Sequence, residues 1–171
     1  DIINIVNEKK LEIPFSRPED LSTDTSPTNE LVIHCIEQLK MKKNEEYDYI
    51  VILEPTSPIR DIKDFFSAFD QLLSNSNAKS IVGISKVDAQ HPVFLTKKNK
   101  DSFISFYEPR KENSIRRQDI SPLYFFDGSF YISEVQSFLQ NKTFYHDQTL
   151  GYELEKSKSF ELDDPVDFII I

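Results

Sequence analysis

Leu53-Glu54-Pro55-Thr56-Ser57-Pro58-Ile59-Arg60 is the stretch that decides the fold, because it joins a segment typical of a strand to one typical of a helix. The apolar run 49–53 before it indicates a buried parallel strand. The residues after it form one apolar helix face, made of Ile62, Phe65, Phe66, Phe69, Leu72 and Leu73. The polar loop is therefore expected at the carboxyl end of a central strand, where open α/β sheets bind their ligands.

This loop combines a restricted backbone with hydrogen-bond donors. Its two prolines fix the backbone, while Thr56, Ser57 and Arg60 offer donors to anionic oxygens. The alternative interpretation is a proline-rich turn from strand to helix that is capped by Asp61 and has no binding role.

The rest of the chain continues the alternation of strands and helices. Residues 80–85 form a second apolar run, so the order strand, helix, strand predicts a βαβ unit. The other predicted elements are helices over 1–9 and from Pro27 onward, a short strand over 12–15, a strand over 130–133, a helical turn over 135–138 and an edge strand over 151–154. The sequence thus predicts one α/β domain over residues 1–171, with a mostly parallel sheet covered by helices.

Composition narrows the possible functions. The chain has 171 residues, of which 39% are hydrophobic, and this is enough for one domain with a sizeable core. A net charge of −9 argues against nucleic-acid and anionic-membrane partners, which require a basic face. No apolar run has transmembrane length, and the single cysteine, Cys35, fits a reducing cytoplasm.

Four segments resemble, in the same order, sequence elements of the CMP-N-acetylneuraminic acid synthetases, a family of sugar-acid cytidylyltransferases. Residues 53–60 resemble the family signature Leu-Gln-Pro-Thr-Ser-Pro-Leu-Arg, and 17–24 resemble its Arg-Pro-x-x-Leu-x-x-Asp element. Residues 116–132 are similar to its Arg-Gln and Asn-Gly-x-x-Tyr-Ile elements, and 159–163 to its closing Ser-x-Asp-Ile-Asp. The resemblance covers nearly the whole chain.

The resemblance implies a Rossmann-like three-layer fold of the nucleotide-diphospho-sugar transferase type. It also implies transfer of CMP from CTP to a nonulosonic (sialic acid-like) sugar acid, with release of pyrophosphate. Family members begin with a strand and a glycine- and lysine-rich loop for the CTP triphosphate. That part does not precede residue 1, so we expect residues 1–171 to be inactive alone.

A pair of acidic residues near the end of the chain is the candidate metal site. Glu161 and Asp163 are two positions apart, so an extended backbone points both carboxylates to one face, as suits Mg²⁺ (or Mn²⁺) beside nucleotide phosphates. A solvated acidic strand end is the alternative. The family usually has Asp where Glu161 stands, which makes Asp163 the safer ligand. Asp164 and Asp167 are expected to start a terminal helix instead.

The resemblance assigns two residues to each substrate. Arg17 is implied to contact the nucleotide, with Thr28 near the cytidine or its ribose, whereas Arg117 and Gln118 correspond to the pair that meets the sugar acid. Arg117 would pair with its carboxylate and counts with Glu161 and Asp163 as a catalytic candidate. The alternatives are a surface ion pair for Arg17, a first-turn helix residue for Thr28 and a solvated basic turn around Arg117.

Two departures from the family pattern concern the sugar. Glu54 replaces the usual Gln and Asp127 replaces the usual Asn, so both positions can only accept hydrogen bonds when ionised. A carboxylate at Glu54 would repel the carboxylate of the sugar acid and is expected to face hydroxyls or an amine-derived substituent. A related nonulosonic acid such as legionaminic acid fits at least as readily as N-acetylneuraminic acid. The alternative for Asp127 is a turn residue beside Gly128.

The polar stretch 86–122 resembles the protruding insertion through which family members dimerise, and we call it the arm. It carries several apolar residues that a partner could bury, namely Phe94, Phe103, Ile104, Phe106 and Tyr107. We expect a homodimer in which the arm places Arg116 or Arg117 near a sugar site. A long surface excursion without function is the alternative, although such loops are uncommon in compact domains.

Rival functions remain open at this point. A cytidylyltransferase for the eight-carbon 3-deoxy-octulosonic acid is the nearest, and a metal-dependent nucleotide-sugar glycosyltransferase with an Asp-x-Asp pair is more distant. An inactive binding or dimerisation fragment is the rival that is not an enzyme.

Overall fold

The computed structural model describes residues 2–23, 25–108 and 116–171. Its helices are α1 (Ile2–Glu8), α2 (Thr28–Lys43), α3 (Ile62–Ser74), α4 (Val135–Asn141) and α5 (Asp167–Ile170). Its strands are β1 (Tyr49–Ile52), β2 (Ser80–Lys86), β3 (Thr96–Lys98), β4 (Ile104–Phe106), β5 (Tyr124–Glu134) and β6 (Thr149–Glu153). No helix in these ranges is both long and apolar enough to cross a membrane.

The main sheet has the order β1-β5-β2-β6. β2 pairs with β6 in parallel, whereas β5 pairs antiparallel with both β1 and β2. β1, β2 and β6 therefore run in one direction, and β5 is inserted against them between the two strands of the βαβ unit. β3 and β4 form a separate antiparallel hairpin within the arm.

Helices pack on both faces of this sheet. On one face, Ala68 and Leu72 of α3 pack with Ile81, Phe130 and Ile132 of the sheet in one buried cluster.

The opposite face holds a second buried cluster. There Val32 of α2 and Phe138 of α4 pack with Val82 and Phe144. The predicted α/β class, the mostly parallel strand direction and the three layers are confirmed.

Two strand predictions were wrong in detail. β1 is at the edge of the sheet rather than central. Among the described strands only β5 pairs with β1, so the other side of β1 is open and Val51 is 39% exposed. Residues 12–15 form no strand and pair with none of the described strands. The predicted strand 130–133 is the end of a longer strand, 124–134.

A large bulge explains why β5 was predicted too short. Val82 pairs with Tyr131 and Ile84 with Phe126, so the single residue Gly83 faces the four residues 127–130. Gly128 has φ of +70°, a left-handed conformation that glycine adopts without strain. The sequence Asp127-Gly128 looked like a turn, but here the strand continues through it.

Gly83 makes room for this bulge. A Cβ atom at Gly83 would lie 2.1 Å from Ser129 Oγ and 2.7 Å from Asp127 Oδ1. Both oxygens belong to buried residues, Ser129 and Asp127. The absence of a side chain at residue 83 therefore allows the bulge to lie against β2.

We predict that Gly83→Ala destabilises the fold by about 1–3 kcal/mol, the usual cost of overpacking a buried site. Gly151→Ala is the matched control, because its Cβ would meet Ile84 Cδ1 at 2.5 Å, the end of a flexible side chain. Urea unfolding monitored by circular dichroism measures both free energies of unfolding. Equal losses in the two variants would show that the bulge does not depend on Gly83.

Candidate functional site

The loop after β1, residues 53–61, is fastened to the β5 bulge. The Ser57 hydroxyl donates to the carbonyl oxygen of Asp127 at 3.0 Å, and Ser57 is only 3% exposed. Arg60 donates through Nε to the Ser129 carbonyl and through Nη2 to the Glu54 carbonyl. Burial lowers the pKa of the Arg60 guanidinium, partly offset by the nearby Glu54 carboxylate. The loop and the bulge therefore form one hydrogen-bonded unit.

Asp127 fixes the bulge from inside. Asp127 is 1% exposed. Its Oδ2 accepts a hydrogen bond from Ser85 Oγ at 2.8 Å, and its Oδ1 accepts one from the Ser129 backbone N–H at 3.0 Å. Both carboxylate oxygens are thus engaged within the protein. Ser57 and Asp127, both predicted as substrate contacts, are thus buried and hydrogen-bonded within the protein, where they position the loop and the bulge.

The carboxyl-terminal segment 159–163 lies against the same unit. The Leu162 N–H donates to the Thr56 carbonyl at 2.7 Å, which anchors this extended segment beside the loop. A Cβ atom at Gly128 would lie 2.6 Å from Ser57 Oγ and 3.0 Å from Glu161 Oε1. The loop, the bulge and the carboxyl-terminal segment therefore meet at Gly128.

Acidic side chains gather where these three segments meet. Burial raises the pKa of Glu161, and the charges of Asp163, Asp127 and Glu54 raise it further. Asp163 is more exposed than Glu161. Asp163, Asp127 and Glu54 are therefore all close enough to Glu161 to affect its charge.

The neighbouring residues Asp164 and Asp167 make local hydrogen bonds. Asp167 Oδ2 accepts from the backbone N–H groups of Asp163 and Asp164, and Asp164 Oδ1 accepts from that of Val166 at 2.7 Å. Both carboxylates therefore organise the start of α5, as the sequence predicted.

An aromatic wall beside the carboxylates was not predicted from sequence. Burial raises the pKa of Tyr131, helped by a hydrogen bond with Tyr145 and by the charges of Glu54 and Glu161. The rings of Phe126 and Tyr145 lie 4.3 Å apart between centroids. Simple alternation along β5 could not reveal that Tyr131 faces this site, because the bulge changes the register between Phe126 and Tyr131.

The other predicted contact residues lie in three segments. Arg17 is exposed and donates to the Leu21 carbonyl, and Thr28 is the exposed first residue of α2. No hydrogen bond or ion pair between described residues joins Arg17 or Thr28 to the loop 53–61.

Gln118 is exposed in a short 3₁₀ helix, Arg117–Asp119, where Arg116 pairs with Asp119 through Nε at 2.7 Å. The Arg117 side chain and the whole of Asp24 lie outside what the structure describes.

The carboxylates fit a hard divalent cation. Burial raises the pKa of Glu161 and the neighbouring carboxylates raise it further, and a bound cation would offset the repulsion among these carboxylates. Within the described ranges no group of three or more His, Cys, Asp or Glu residues is arranged as a complete metal site. A pair of carboxylates whose other ligands are water and phosphate is how Mg²⁺ is usually held.

No protein-family model matches the chain. The chain is nevertheless similar in sequence to several known proteins. It is 28% identical to the N-acylneuraminate cytidylyltransferase of Streptococcus agalactiae serotype III over 162 residues, which are 95% of this chain. It is also 28% identical to the CMP-N,N'-diacetyllegionaminic acid synthase of Legionella pneumophila, over 99% of this chain and 71% of that protein. The pseudaminic acid cytidylyltransferase of Campylobacter jejuni is 21% identical over 95% of the chain.

These relatives are nonulosonic acid cytidylyltransferases. The chain spans only 37% of the length of the streptococcal relative. Among solved structures, the 4-diphosphocytidyl-2C-methyl-D-erythritol synthase of Anaerococcus prevotii superposes with a TM-score of 0.55 over 99% of this chain and 73% of its own. Because its sequence is only 12% identical to this chain, the likeness supports the fold alone.

We predict that Glu161→Gln raises the stability of the chain at neutral pH. The pKa of Glu161 is higher in the folded than in the unfolded chain, so stability falls as the pH rises from the ordinary value of 4.5 through the raised pKa. Glutamine does not ionise and avoids this loss, so the gain should vanish as the pH falls below 4.5.

Urea unfolding at several pH values tests this, with Glu37→Gln as the control on the exposed face of α2. A gain that is the same at every pH, or that appears equally in both variants, would contradict the electrostatic explanation.

Proposed function

We propose that the chain belongs to a cytidylyltransferase that transfers CMP from CTP to a nonulosonic sugar acid. The observation that carries this proposal is the meeting of Glu161, Asp163 and the anchored loop 53–61 at Gly128, in a chain related to such enzymes. The anomeric hydroxyl oxygen of the sugar acid bonds to the α-phosphorus and loses its proton. The bond from that phosphorus to the bridging oxygen breaks, and pyrophosphate leaves.

Asp163 and Glu161 would hold Mg²⁺ or Mn²⁺. Such an ion neutralises the negative charge that develops on the α-phosphate and on the departing pyrophosphate. Asp163 is the exposed member of the pair and is open to ligands, whereas Glu161 is partly buried against Gly128. Positioning of the reactants would supply much of the remaining rate acceleration.

Ser57, Arg60 and Asp127 contribute by holding the site together. Their hydrogen bonds fix the loop so that the exposed Thr56 and the partly buried Glu54 stay beside the carboxylate pair. The contacts proposed for Arg17 and Thr28 with the nucleotide, and for Arg117 and Gln118 with the sugar acid, rest on the resemblance of their segments. An unengaged N–H of Arg60 could also reach a substrate oxygen.

The identity of the sugar depends on the wall around Glu54. Tyr131 and the Glu54 carboxylate interact, so this wall joins an acceptor of hydrogen bonds to aromatic rings. That chemistry suits hydroxyls or an amine-derived substituent better than a second carboxylate. The similar proteins include enzymes named for legionaminic and pseudaminic acid as well as for N-acylneuraminate, and all three sugars fit this preference. We further propose a cytoplasmic location, with which the single cysteine, Cys35, is compatible.

We predict that Asp163→Asn in the full-length protein lowers kcat far more than Asp164→Asn does. Mutating a residue that hydrogen-bonds to a metal ligand typically lowers activity roughly 10- to 100-fold. Loss of a ligand itself should lower kcat at least as much. Asp164 instead accepts a hydrogen bond from Val166, and Asn replaces Asp well at such positions, where the whole interaction is worth about 1 kcal/mol.

Pyrophosphate release with CTP and a nonulosonic acid measures both rates, with circular dichroism to match the folded fractions. If both variants lost activity equally, the assignment of the metal ligands would be wrong.

We also propose that the protein is a homodimer whose contacts come chiefly from the arm. Phe103, Ile104 and Phe106 of the β3–β4 hairpin are 74%, 71% and 51% exposed, so the hairpin presents an apolar surface to solvent. A second copy could bury this surface as the core of an interface.

The double replacement Phe103→Ser and Phe106→Ser is therefore expected to convert a dimer to a monomer in light scattering of the full-length protein. Phe168→Ser on α5 is the control, since that residue is 72% exposed outside the arm. A wild-type protein that is monomeric and active at micromolar concentration would leave the arm without this role.

A further inference from the structure

The carboxyl-terminal segment 159–163 is attached to the loop 53–61 just after Glu161. The Leu162 N–H donates to the Thr56 carbonyl at 2.7 Å. One hydrogen bond fixes one point of an extended segment and leaves the rest free to swing about that point. The position of Glu161 therefore also depends on what holds the residues before it.

Lys158 makes the attachment before Glu161. Its Nζ lies 2.5 Å from Asp64 Oδ2 and 3.5 Å from Asp61 Oδ2. The Lys158 side chain is 21% exposed and that of Asp64 is 19% exposed, so water screens this ion pair less than it screens a pair on the open surface. The hydrogen bond with Asp64 raises the pKa of Lys158 and keeps its ammonium group charged.

Both aspartates belong to the start of α3, which follows the loop 53–61 directly. Asp61 is the N-cap of α3, where its Oδ1 accepts from the backbone N–H two residues later at 2.9 Å. Asp64 lies in the first turn, and its Oδ1 accepts from the Tyr152 hydroxyl of β6 at 3.2 Å. One aspartate of α3 thus binds side chains on both sides of the turn that leads from β6 to the segment 159–163.

Glu161 lies between the two attachments and close to both. Leu162 follows it immediately, and Lys158 precedes it by three residues. Three residues of extended chain span at most about 11 Å, so little slack separates Lys158 from Glu161. Displacement of Lys158 from Asp64 would therefore free Glu161 to move away from the loop.

We propose that Lys158 is a positioning residue for the metal site, where its ion pair with Asp64 holds the two carboxylates so that one cation can bind both. The role of the cation rests on the proposed function, whereas the hold on the segment rests on the contacts of Lys158. Loss of the ion pair should free the segment and leave the sheet intact. The Leu154 N–H, next to β6, still donates to the Ile84 carbonyl at 2.9 Å.

Hydrogen exchange of the Leu162 amide measures this hold in the full-length protein, without substrate or metal. In Lys158→Met we expect this amide to exchange roughly three- to tenfold faster than in the wild type, as suits the loss of a charged hydrogen bond that is partly screened. Exchange of the Leu154 amide should stay unchanged, because Leu154 precedes the ion pair and is held by the sheet. NMR spectroscopy follows both amides in one sample.

Two variants of the same 3₁₀ helix, Lys156–Lys158, are the matched controls. Lys156→Met removes an ion pair with Asp88 from a side chain that is 78% exposed, and it should leave the exchange of Leu162 as in the wild type. Lys158→Arg keeps the positive charge and should restore slow exchange.

The Mg²⁺ requirement of the reaction separates positioning from a purely structural role. In Lys158→Met the Mg²⁺ concentration that gives half of the maximal rate should rise about twofold or more, because a cation that binds only the attached segment must first draw it into place. At saturating Mg²⁺ the same population shift should bring kcat to within about twofold of the wild type. Circular dichroism matches the folded fractions of the variants.

Three results would overturn the proposal. They are an unchanged exchange of Leu162 in Lys158→Met, an equal acceleration at Leu154 or in Lys156→Met, and an unchanged Mg²⁺ requirement. Absence of any CMP-linked product from the wild type would instead refute the proposed function. Amide exchange would then still decide whether Lys158 holds the segment, since it needs neither substrate nor metal.

Discussion

The hydrogen bonds between the loop after β1 and the bulge of β5 are the interaction on which the site depends. Ser57 and Arg60 reach across to the carbonyls of Asp127 and Ser129, some seventy residues later in the chain. Because these bonds are buried or partly buried, breaking one leaves polar groups without partners and costs more than an exposed bond would. They fix the distance between the loop and the strand, and the bulge in turn exists because Gly83 leaves space for it.

The same arrangement concentrates negative charge. Folding brings Glu54, Asp127, Asp163 and Glu161 near one another in a chain whose net charge is already −9. Repulsion of this kind destabilises the free protein, and functional sites commonly tolerate such a cost. A divalent cation with a polyphosphate substrate would turn this cost into binding energy. The cation would compensate the carboxylates and let a trianionic or tetra-anionic nucleotide approach them.

The sequence predicted the architecture well where local patterns were strong. The helix over 62–73 and the strand over 80–85 are present almost at the predicted bounds, because their apolar residues follow the helix and strand periods without interruption. β1 was predicted as central because its composition is apolar, but burial also depends on how many neighbours a strand has. The insertion of β5 between β1 and β2 involves residues far apart in the chain, and no local pattern encodes that pairing.

The site was predicted in part. The proximity of Glu161 to Asp163 follows from their spacing, whereas the charges of Glu54 and Asp127 near Glu161 became apparent only in the folded structure. The burial of Ser57 and Asp127 was not predicted, because the sequence of a polar loop does not reveal which side chains point inward. Tyr131 was missed because the bulge reverses the simple alternation of faces along β5.

The most direct test is the product that the full-length protein makes from CTP. The protein is incubated with Mg²⁺, CTP labelled at the α-phosphorus, and in separate reactions N-acetylneuraminic acid, a legionaminic acid, a pseudaminic acid and 3-deoxy-octulosonic acid. Mass spectrometry and the label identify the product. We expect a CMP-linked nonulosonic acid that carries the label, with one pyrophosphate released for each molecule formed. A CMP-linked product from 3-deoxy-octulosonic acid alone, or no CMP-linked product from any acid, would contradict the proposed function.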